Sequence, residues 1–88
     1  MKIKRGFIAR SVGGNRMVVA TGEKSRQFGG MIRLNESGSF LWDRLAEETD
    51  RELLVAALLE EYDVDEGTAR ADVEKFLNTL RKAGVLDE

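Results

Sequence analysis

The sequence predicts an α+β fold in which a three-stranded antiparallel sheet precedes three helices. Two segments rich in β-forming residues, 7–12 and 16–21, flank the turn Gly13-Gly14-Asn15, and Gly and Asn tolerate the positive φ of tight hairpins. The second half repeats apolar residues at helical spacing. Because its 88 residues include no proline, the chain offers no internal boundary, and we expect one domain over residues 1–88.

The third predicted strand is short and runs from Met31 to Leu34. Side chains alternate in a strand, so Ile32 and Leu34 should face inward while Met31 and Arg33 face outward. A strand at the end of a sheet presents unpaired N–H and C=O groups. An extended peptide could add a strand there, or the last helix could simply cover the edge.

The first helix, over about residues 36–46, is predicted to begin at Asn35, because an Asn side chain can accept from free N–H groups of the first turn. Its apolar face is formed by Gly38, Leu41, Trp42 and Leu45. Gly38 removes side-chain bulk from that face, so the helix can approach another element closely.

Two further capping signals delimit the other helices. Thr49 and Glu52 form a capping-box pattern ahead of the second helix. Its segment 53–59 is apolar nearly all round, so we expect this helix to be the most buried of the three. Asp65 is predicted to cap the third helix, and Gly84 is predicted to end it.

Composition argues against enzyme chemistry. Hydrophobic residues make up 42% and charged residues 34%, which is typical of a folded chain. The absence of Cys and His removes thiolate chemistry, the usual neutral-pH base and the commonest metal ligand. No glycine-rich phosphate loop precedes a helix. We therefore expect no catalytic residues, metal or cofactor. No apolar run reaches the ~20 residues of a membrane span, so we expect a cytoplasmic location.

Charge divides the chain in two. Residues 1–46 hold nine Lys and Arg against three Asp and Glu, whereas residues 47–88 hold five against thirteen. The strand half thus carries +6 and the helix half −8, which together give the net charge of −2. The two halves could attract each other across the fold, or the basic sheet could meet an acidic partner.

Nucleic-acid binding is the main alternative function. The second and third helices could form a helix-turn-helix with the hairpin as a wing, as in a winged-helix DNA-binding regulator. Four acidic residues around the turn would repel phosphates: Glu60, Glu61, Asp63 and Asp65. The basic hairpin keeps this alternative open, and a third option is a subunit that only scaffolds a larger enzyme.

The ordered set of these features resembles the PqqD family of peptide chaperones, also called RiPP recognition elements, over about residues 7–86. The segments that carry the resemblance are Met31-Ile32-Arg33-Leu34-Asn35-Glu36-Ser37-Gly38, Phe40-Leu41-Trp42, Leu45, Leu58, Glu60-Glu61-Tyr62-Asp63-Val64, Thr68-Ala69, Asp72-Val73, Phe76-Leu77, Leu80 and Gly84-Val85-Leu86. The resemblance implies a winged-helix-like fold and no catalytic activity. It also implies that the leader of a ribosomally made precursor peptide docks as a fourth strand on strand three, in a groove beside helix three.

The resemblance further implies partners and site residues. The chaperone would present its precursor to a maturation enzyme, often a radical SAM enzyme and sometimes a cyclase or leader peptidase; two copies could also pair through open edges. The candidate peptide-binding residues are Met31, Ile32, Arg33, Leu34, Arg70, Val73, Lys75, Phe76, Leu77 and Leu80. The backbone of Met31–Leu34 would pair with the leader, Arg33 would lie beside the edge, and Arg70 and Lys75 would flank the groove. The apolar candidates would line the groove or form the core beneath it. The basic strand half favours a leader enriched in Asp and Glu with apolar anchors.

Overall fold

The computed structural model describes residues 1–22 and 32–88 and confirms the α+β order of strands and helices. In chain order the elements are β1 (Lys2–Ile3), β2 (Phe7–Val12), β3 (Asn15–Ala20), β4 (Ile32–Leu34), α1 (Glu36–Arg44), α2 (Arg51–Glu61), α3 (Glu66–Ala83) and β5 (Leu86–Asp87). Strands β2, β3 and β4 form one antiparallel sheet in that order. Met31, which was expected to open the third strand, lies outside the described residues.

The hairpin turn consists of two residues. Gly13 and Gly14 both adopt positive φ, 57° and 83°, and Val12 lies opposite Asn15. Two successive left-handed residues are the geometry that a two-residue hairpin turn requires, and glycine adopts it without steric cost. Asn15 therefore belongs to β3, one residue earlier than predicted.

The hydrogen-bonded residue pairs at the two ends of the hairpin determine which residues of β3 direct their backbone N–H and C=O groups to β2 and which direct them to β4. At the turn the pair is Val12 and Asn15, and at the other end Thr21 donates its N–H to the carbonyl of Gly6 at 2.7 Å. Hydrogen-bonded pairs recur at every second position of an antiparallel ladder. The odd-numbered residues of β3 therefore direct their backbone groups to β2, and the even-numbered residues direct theirs to β4.

The cap of α2 differs from the prediction. Asp50, not Thr49, caps this helix, because its Oδ1 accepts from the N–H of Leu53 at 2.9 Å. The backbone of Thr49 is held by the first residue instead: its N–H donates to the carbonyl of Met1 at 3.0 Å, and its own carbonyl accepts from the Met1 amine at 2.8 Å. The capping box was therefore wrong by one residue.

Both predicted ends of α3 are confirmed. Asp65 Oδ1 accepts from the N–H of Thr68 at 2.7 Å, and Gly84 ends the helix in the left-handed conformation with φ 76°. The N–H of Val85 then bonds back to the carbonyl of Leu80 at 3.1 Å, which satisfies a carbonyl that the helix end leaves free.

A second, two-stranded sheet joins the ends of the chain. In it β1 pairs antiparallel with β5, with Ile3 opposite Leu86. The N–H of Ile3 also donates to the carbonyl of Leu45 at 3.0 Å, which ties the first residues to α1. Two-residue strands carry no periodic pattern, so the sequence did not predict this sheet.

The core lies between the inner face of the larger sheet and the three helices. Its buried side chains are Val18, Leu34, Leu41, Trp42, Leu45, Leu54, Val55, Leu58, Ala69, Val73, Leu77, Leu80, Val85 and Leu86. The expectation that α2 is the most buried helix is wrong, because Leu53 is 59% exposed and Leu59 36%, whereas neither α1 nor α3 exposes a large apolar side chain. Within the two described ranges, no helix combines the length and apolar character needed to cross a membrane.

Candidate functional site

A groove of about 520 Å³ lies between β4 and α3. The residues that line it are Asn15, Ile32, Arg33, Leu34, Asn35, Ser37, Gly38, Leu41, Asp72, Lys75, Phe76 and Thr79. They come from β3, β4, the start of α1 and one stripe of α3. An edge strand and a helix thus form the two walls, with α1 between them.

The approach of α1 to α3 depends on the glycine that the sequence singled out. A Cβ atom at Gly38 would lie 3.3 Å from Cε1 of Phe76 and 2.9 Å from Oδ1 of Asn35. Gly38 is buried, and the half-buried ring of Phe76 packs against the core beside it. Asn35 uses the same Oδ1 to accept from the N–H of Gly38 at 2.7 Å, which confirms it as the cap of α1. The absence of a side chain here therefore lets the ring form an apolar wall of the groove.

One edge of β4 is unpaired among the described strands. Its other edge pairs with β3, with Leu34 opposite Arg16 and Ile32 opposite Val18. Because the even-numbered residues of β3 direct their backbone groups to β4, these two pairs hold the hydrogen bonds between the strands. Arg33 lies between them, and its N–H and C=O therefore point away from β3, to the open edge.

The rim of the groove is polar. The guanidinium of Arg33 donates to Oδ1 of Asn15 at 3.0 Å, and the hydroxyl of Thr79 donates to the carbonyl of Lys75 at 3.1 Å. Arg33 and Lys75 are exposed, whereas Asp72 is half-buried. The groove is therefore lined by two cations and one carboxylate above an apolar interior.

The structure separates the predicted site residues into groups. Ile32, Arg33, Leu34, Lys75 and Phe76 line the groove together. Val73, Leu77 and Leu80 are fully buried, so they form the core beneath it. Met31 lies outside the described residues.

Arg70 does not line the groove, and the expectation that it flanks it is wrong. Its two terminal nitrogens bond both carboxylate oxygens of Glu52 at 2.7 and 3.0 Å, so it joins α3 to α2. This bidentate hydrogen bonding raises the pKa of Arg70 and lowers the pKa of Glu52. The sequence placed Arg70 on the right helix but gave no signal of its partner.

Several lining residues were not predicted. On α3 these are Asp72 and Thr79, which with Lys75 and Phe76 follow the i, i+3, i+4, i+7 spacing of one helical stripe. This mixed stripe adjoins the purely apolar stripe of the core, so periodicity could have found it. The contribution of Asn15 depends on the hairpin register and had no comparable signal.

A smaller cavity of about 260 Å³ adjoins the groove and shares Asn35, Ser37 and Asp72 with it. Leu58, Tyr62 and Val64 add an apolar wall. Burial raises the pKa of the Tyr62 hydroxyl, with smaller contributions from two nearby carboxylates. The groove thus has an apolar extension across the start of α1.

No group of three or more Asp and Glu side chains in the described parts of the chain is placed to hold a metal ion. The helix-half arginines Arg51, Arg70 and Arg81 pair with Glu74, Glu52 and Glu88. In the strand half, Arg16 pairs with Asp43 at 2.7 Å, and this hydrogen bond raises the pKa of Arg16. Of the five ion pairs found among the described residues, one thus lies within the strand half and three lie within the helix half. Only the pair of the Met1 amine with Glu48 joins the two halves.

The order of elements and the open edge define a small α+β domain with a groove between an edge strand and its last helix. The chain belongs to the PqqD family, described as coenzyme PQQ synthesis protein D, whose sequence model matches residues 15–86. No curated protein matches the chain.

Two solved structures are similar over nearly the whole chain. One is TbiB1 in complex with the TbiA(beta) leader peptide, with 28% identity and a TM-score of 0.78 over 99% of this chain and 95% of that chain. The other is lasso peptide synthetase B1 complexed with the leader peptide, with 17% identity and a TM-score of 0.74 over 96% of this chain and 93% of that chain. The second likeness concerns the fold alone.

Proposed function

We propose that this protein is a non-catalytic peptide chaperone that binds the leader of a ribosomally synthesised precursor peptide by strand addition at β4. The observation that carries the proposal is the backbone of Arg33, whose N–H and C=O point to an open edge beside a groove of about 520 Å³. An extended peptide on such an edge receives main-chain hydrogen bonds, and its alternate side chains enter the adjacent groove.

Backbone pairing and the apolar interior would supply different parts of recognition. A hydrogen bond contributes about 0.5–1.5 kcal/mol net, so the short edge at Arg33 gives orientation more than affinity. Burying one Leu- or Phe-sized side chain contributes about 1.5–3 kcal/mol. An apolar anchor of the leader, packed against Phe76 and Leu41, would therefore supply most of the affinity.

One solved relative supports the ligand class. TbiB1, which shares 28% of its residues with this chain, was determined in complex with a leader peptide. We carry that ligand class over to this chain as part of the proposal. It is compatible with membership of the PqqD family.

We further propose a leader enriched in Asp and Glu. Arg33 and Lys75 are exposed on the groove, and neither forms an ion pair with a described residue. An exposed ion pair contributes about 0.2–1 kcal/mol, so these cations would adjust selectivity. The partner that receives the peptide would be a maturation enzyme in the cytoplasm, and a radical SAM enzyme is the first candidate. Pairing of two copies of this chain is a separate proposal, which sedimentation would test.

Titration of a fluorescent leader tests the proposal. The probe is the leader of the precursor peptide encoded beside this chain's gene, with a scrambled peptide of the same composition as control. We expect saturable one-to-one binding of the native order only, and weaker binding when its acids become Asn and Gln. Equal binding of the scrambled peptide would contradict leader recognition. A DNA gel shift that persists at two salt concentrations would favour the winged-helix regulator instead.

A further inference from the structure

The side of the larger sheet that faces away from the helices is unusually apolar. Alternation along β2, β3 and β4 places seven residues there: Ile8, Arg10, Val12, Asn15, Met17, Val19 and Arg33. We call this set the outer sheet face. Ile8 is 47% and Val12 45% exposed, and Met17 and Val19 are half-buried.

The apolar side chains adjoin one another along β3 and across one pair: Val19 and Met17 are neighbours on the same face of β3, whereas Val12 lies opposite the polar Asn15. Ile8 lies opposite Val19, and Met17 lies between Arg10 and Arg33 on its two neighbouring strands. The solvated face of an antiparallel sheet ordinarily alternates to polar residues. Exposed apolar side chains gathered on one face are the kind of surface that partner proteins bind.

The charges on this face have one sign. Arg10 and Arg33 are exposed, and none of the residues that alternation puts on the outer face in β2, β3 and β4 is acidic. Arg10 forms no ion pair with a described residue, and among those residues the guanidinium of Arg33 bonds only the neutral amide of Asn15. An occupant that complements this face has an apolar centre flanked by carboxylates.

The outer sheet face and the groove meet at Arg33. Its side chain projects from the outer face at the rim of the groove, and its backbone forms the open edge of β4. A partner seated on the outer face would lie directly beside a peptide bound at β4. We infer that the outer sheet face docks an acidic, apolar-centred surface of the maturation enzyme, which then receives the peptide from the adjacent edge; this inference rests on the proposed function.

Two variants of the full chain test the inference without touching the groove. Arg10→Glu reverses one charge, and Ile8→Thr with Val12→Thr makes the patch polar while keeping β-branched side chains. The matched controls are Lys82→Glu on α3 and Leu53→Gln on α2, whose leucine is 59% exposed. The probes are the fluorescent leader and the maturation enzyme encoded beside this chain's gene, with circular dichroism to verify folding.

We expect both outer-face variants to weaken binding of the enzyme by about tenfold or more, while the controls change it by less than about twofold. Binding of the leader should stay within about twofold of wild type in all four variants. Unchanged binding of the enzyme in both outer-face variants would overturn this inference but not the proposed function. A wild-type dimer that Arg10→Glu dissociates would do the same, because a second copy would then occupy the outer sheet face. Failure of the wild type to bind the leader would instead overturn the proposed function.

Discussion

The ring of Phe76 on α3 lies against the backbone of Gly38 on α1, so closely that a Cβ atom there would be 3.3 Å from ring carbon Cε1. The same Cβ atom would be 2.9 Å from Oδ1 of Asn35, the oxygen that caps α1. The absence of a side chain at residue 38 thus allows both the close packing of Phe76 beside the groove and the cap at the start of α1.

We predict that Gly38→Ala destabilises the protein although alanine is the better helix former. The propensity gain is at most about 1 kcal/mol, whereas overpacking and displacement of the cap together cost about 2–3 kcal/mol, for a net loss of about 1–2 kcal/mol. Urea unfolding measures the change. Leader affinity should fall as well, because Phe76 must shift into the groove.

Gly67→Ala is the matched control, since it also lies in the first turn of a helix. The nearest atom to its added Cβ is Oδ1 of Asp65 at 3.4 Å, an ordinary contact. We expect a gain of about 0.5–1 kcal/mol from helix propensity. A gain of similar size at both glycines would contradict the close packing of Gly38.

The direction of the β4 backbone predicts opposite results for two proline substitutions. Arg33→Pro removes an N–H that points to the open edge, so we expect the protein to fold but to bind the leader more weakly. One hydrogen bond of about 0.5–1.5 kcal/mol corresponds to a rise in Kd of at least roughly 2- to 13-fold. Ile32→Pro removes an N–H that is bonded to β3, so it should lower the unfolding free energy.

Arg33→Ala separates the backbone of Arg33 from its side chain, because it keeps the N–H. It should weaken leader binding less than Arg33→Pro does. Ile32→Pro could instead abolish leader binding without lowering the unfolding free energy. This would show that β4 presents the backbone groups of its even-numbered residues to the edge. That result would contradict the register.

Charge reversal on the groove should weaken binding of an acidic leader. Lys75 lines the groove without an ion pair to a described residue, so Lys75→Glu replaces one attraction by one repulsion. At about 0.2–1 kcal/mol for each exposed contact, we expect roughly a 2- to 30-fold rise in Kd at low salt, and a smaller one at high salt.

Lys82→Glu makes the same charge change on the same helix but does not line the groove. It should leave the Kd for the leader nearly unchanged. If both variants weakened binding equally, the attraction would come from net charge, and the local role of Lys75 would be contradicted.

The cap of α3 predicts a pH dependence of stability. Hydrogen bonding from the backbone N–H of Thr68 lowers the pKa of the Asp65 carboxyl below its ordinary value. A lowered folded pKa means that the contribution is complete above the ordinary pKa of about 3.9 and is lost as pH falls through the lowered value. The stability lost in Asp65→Ala should therefore be largest near neutral pH and shrink on acidification.

Urea unfolding at a series of pH values measures this difference. Asp63→Ala removes a carboxylate two residues away that caps no helix, so its effect should be smaller. A difference between wild type and Asp65→Ala that stayed constant down to acid pH would show that the carboxylate form is not what caps α3.

Local signals predicted most of the fold because they act within a few residues. Asn35, Asp65 and Gly84 each satisfy backbone groups of their own helix, so their identity suffices to place a helix end. Thr49 failed because its backbone is bonded to Met1, 48 residues away, and Asp50 caps α2 instead. Tertiary contacts of that kind leave no periodic trace in the sequence.

The candidate site was predictable in outline but not in detail. The alternation of Ile32, Arg33 and Leu34 predicted a short third strand, whereas the groove beside the last helix, with Phe76 among its candidates, was implied by the family resemblance. Which backbone groups of that strand face outward depends on the hairpin register, which Gly13 and Gly14 set through their positive φ. Arg33 was already a candidate beside the edge, but only the register assigns its backbone N–H and C=O to the open side.

Amide exchange at Arg33 tests the central claim most directly. In the free protein, NMR should show fast exchange of the Arg33 amide between slowly exchanging amides of Ile32 and Leu34, which are bonded to β3. Adding the leader should protect Arg33 and leave its two neighbours nearly unchanged. An Arg33 amide that is already protected in the free protein, or that stays unprotected with the leader saturating, would contradict strand addition at β4.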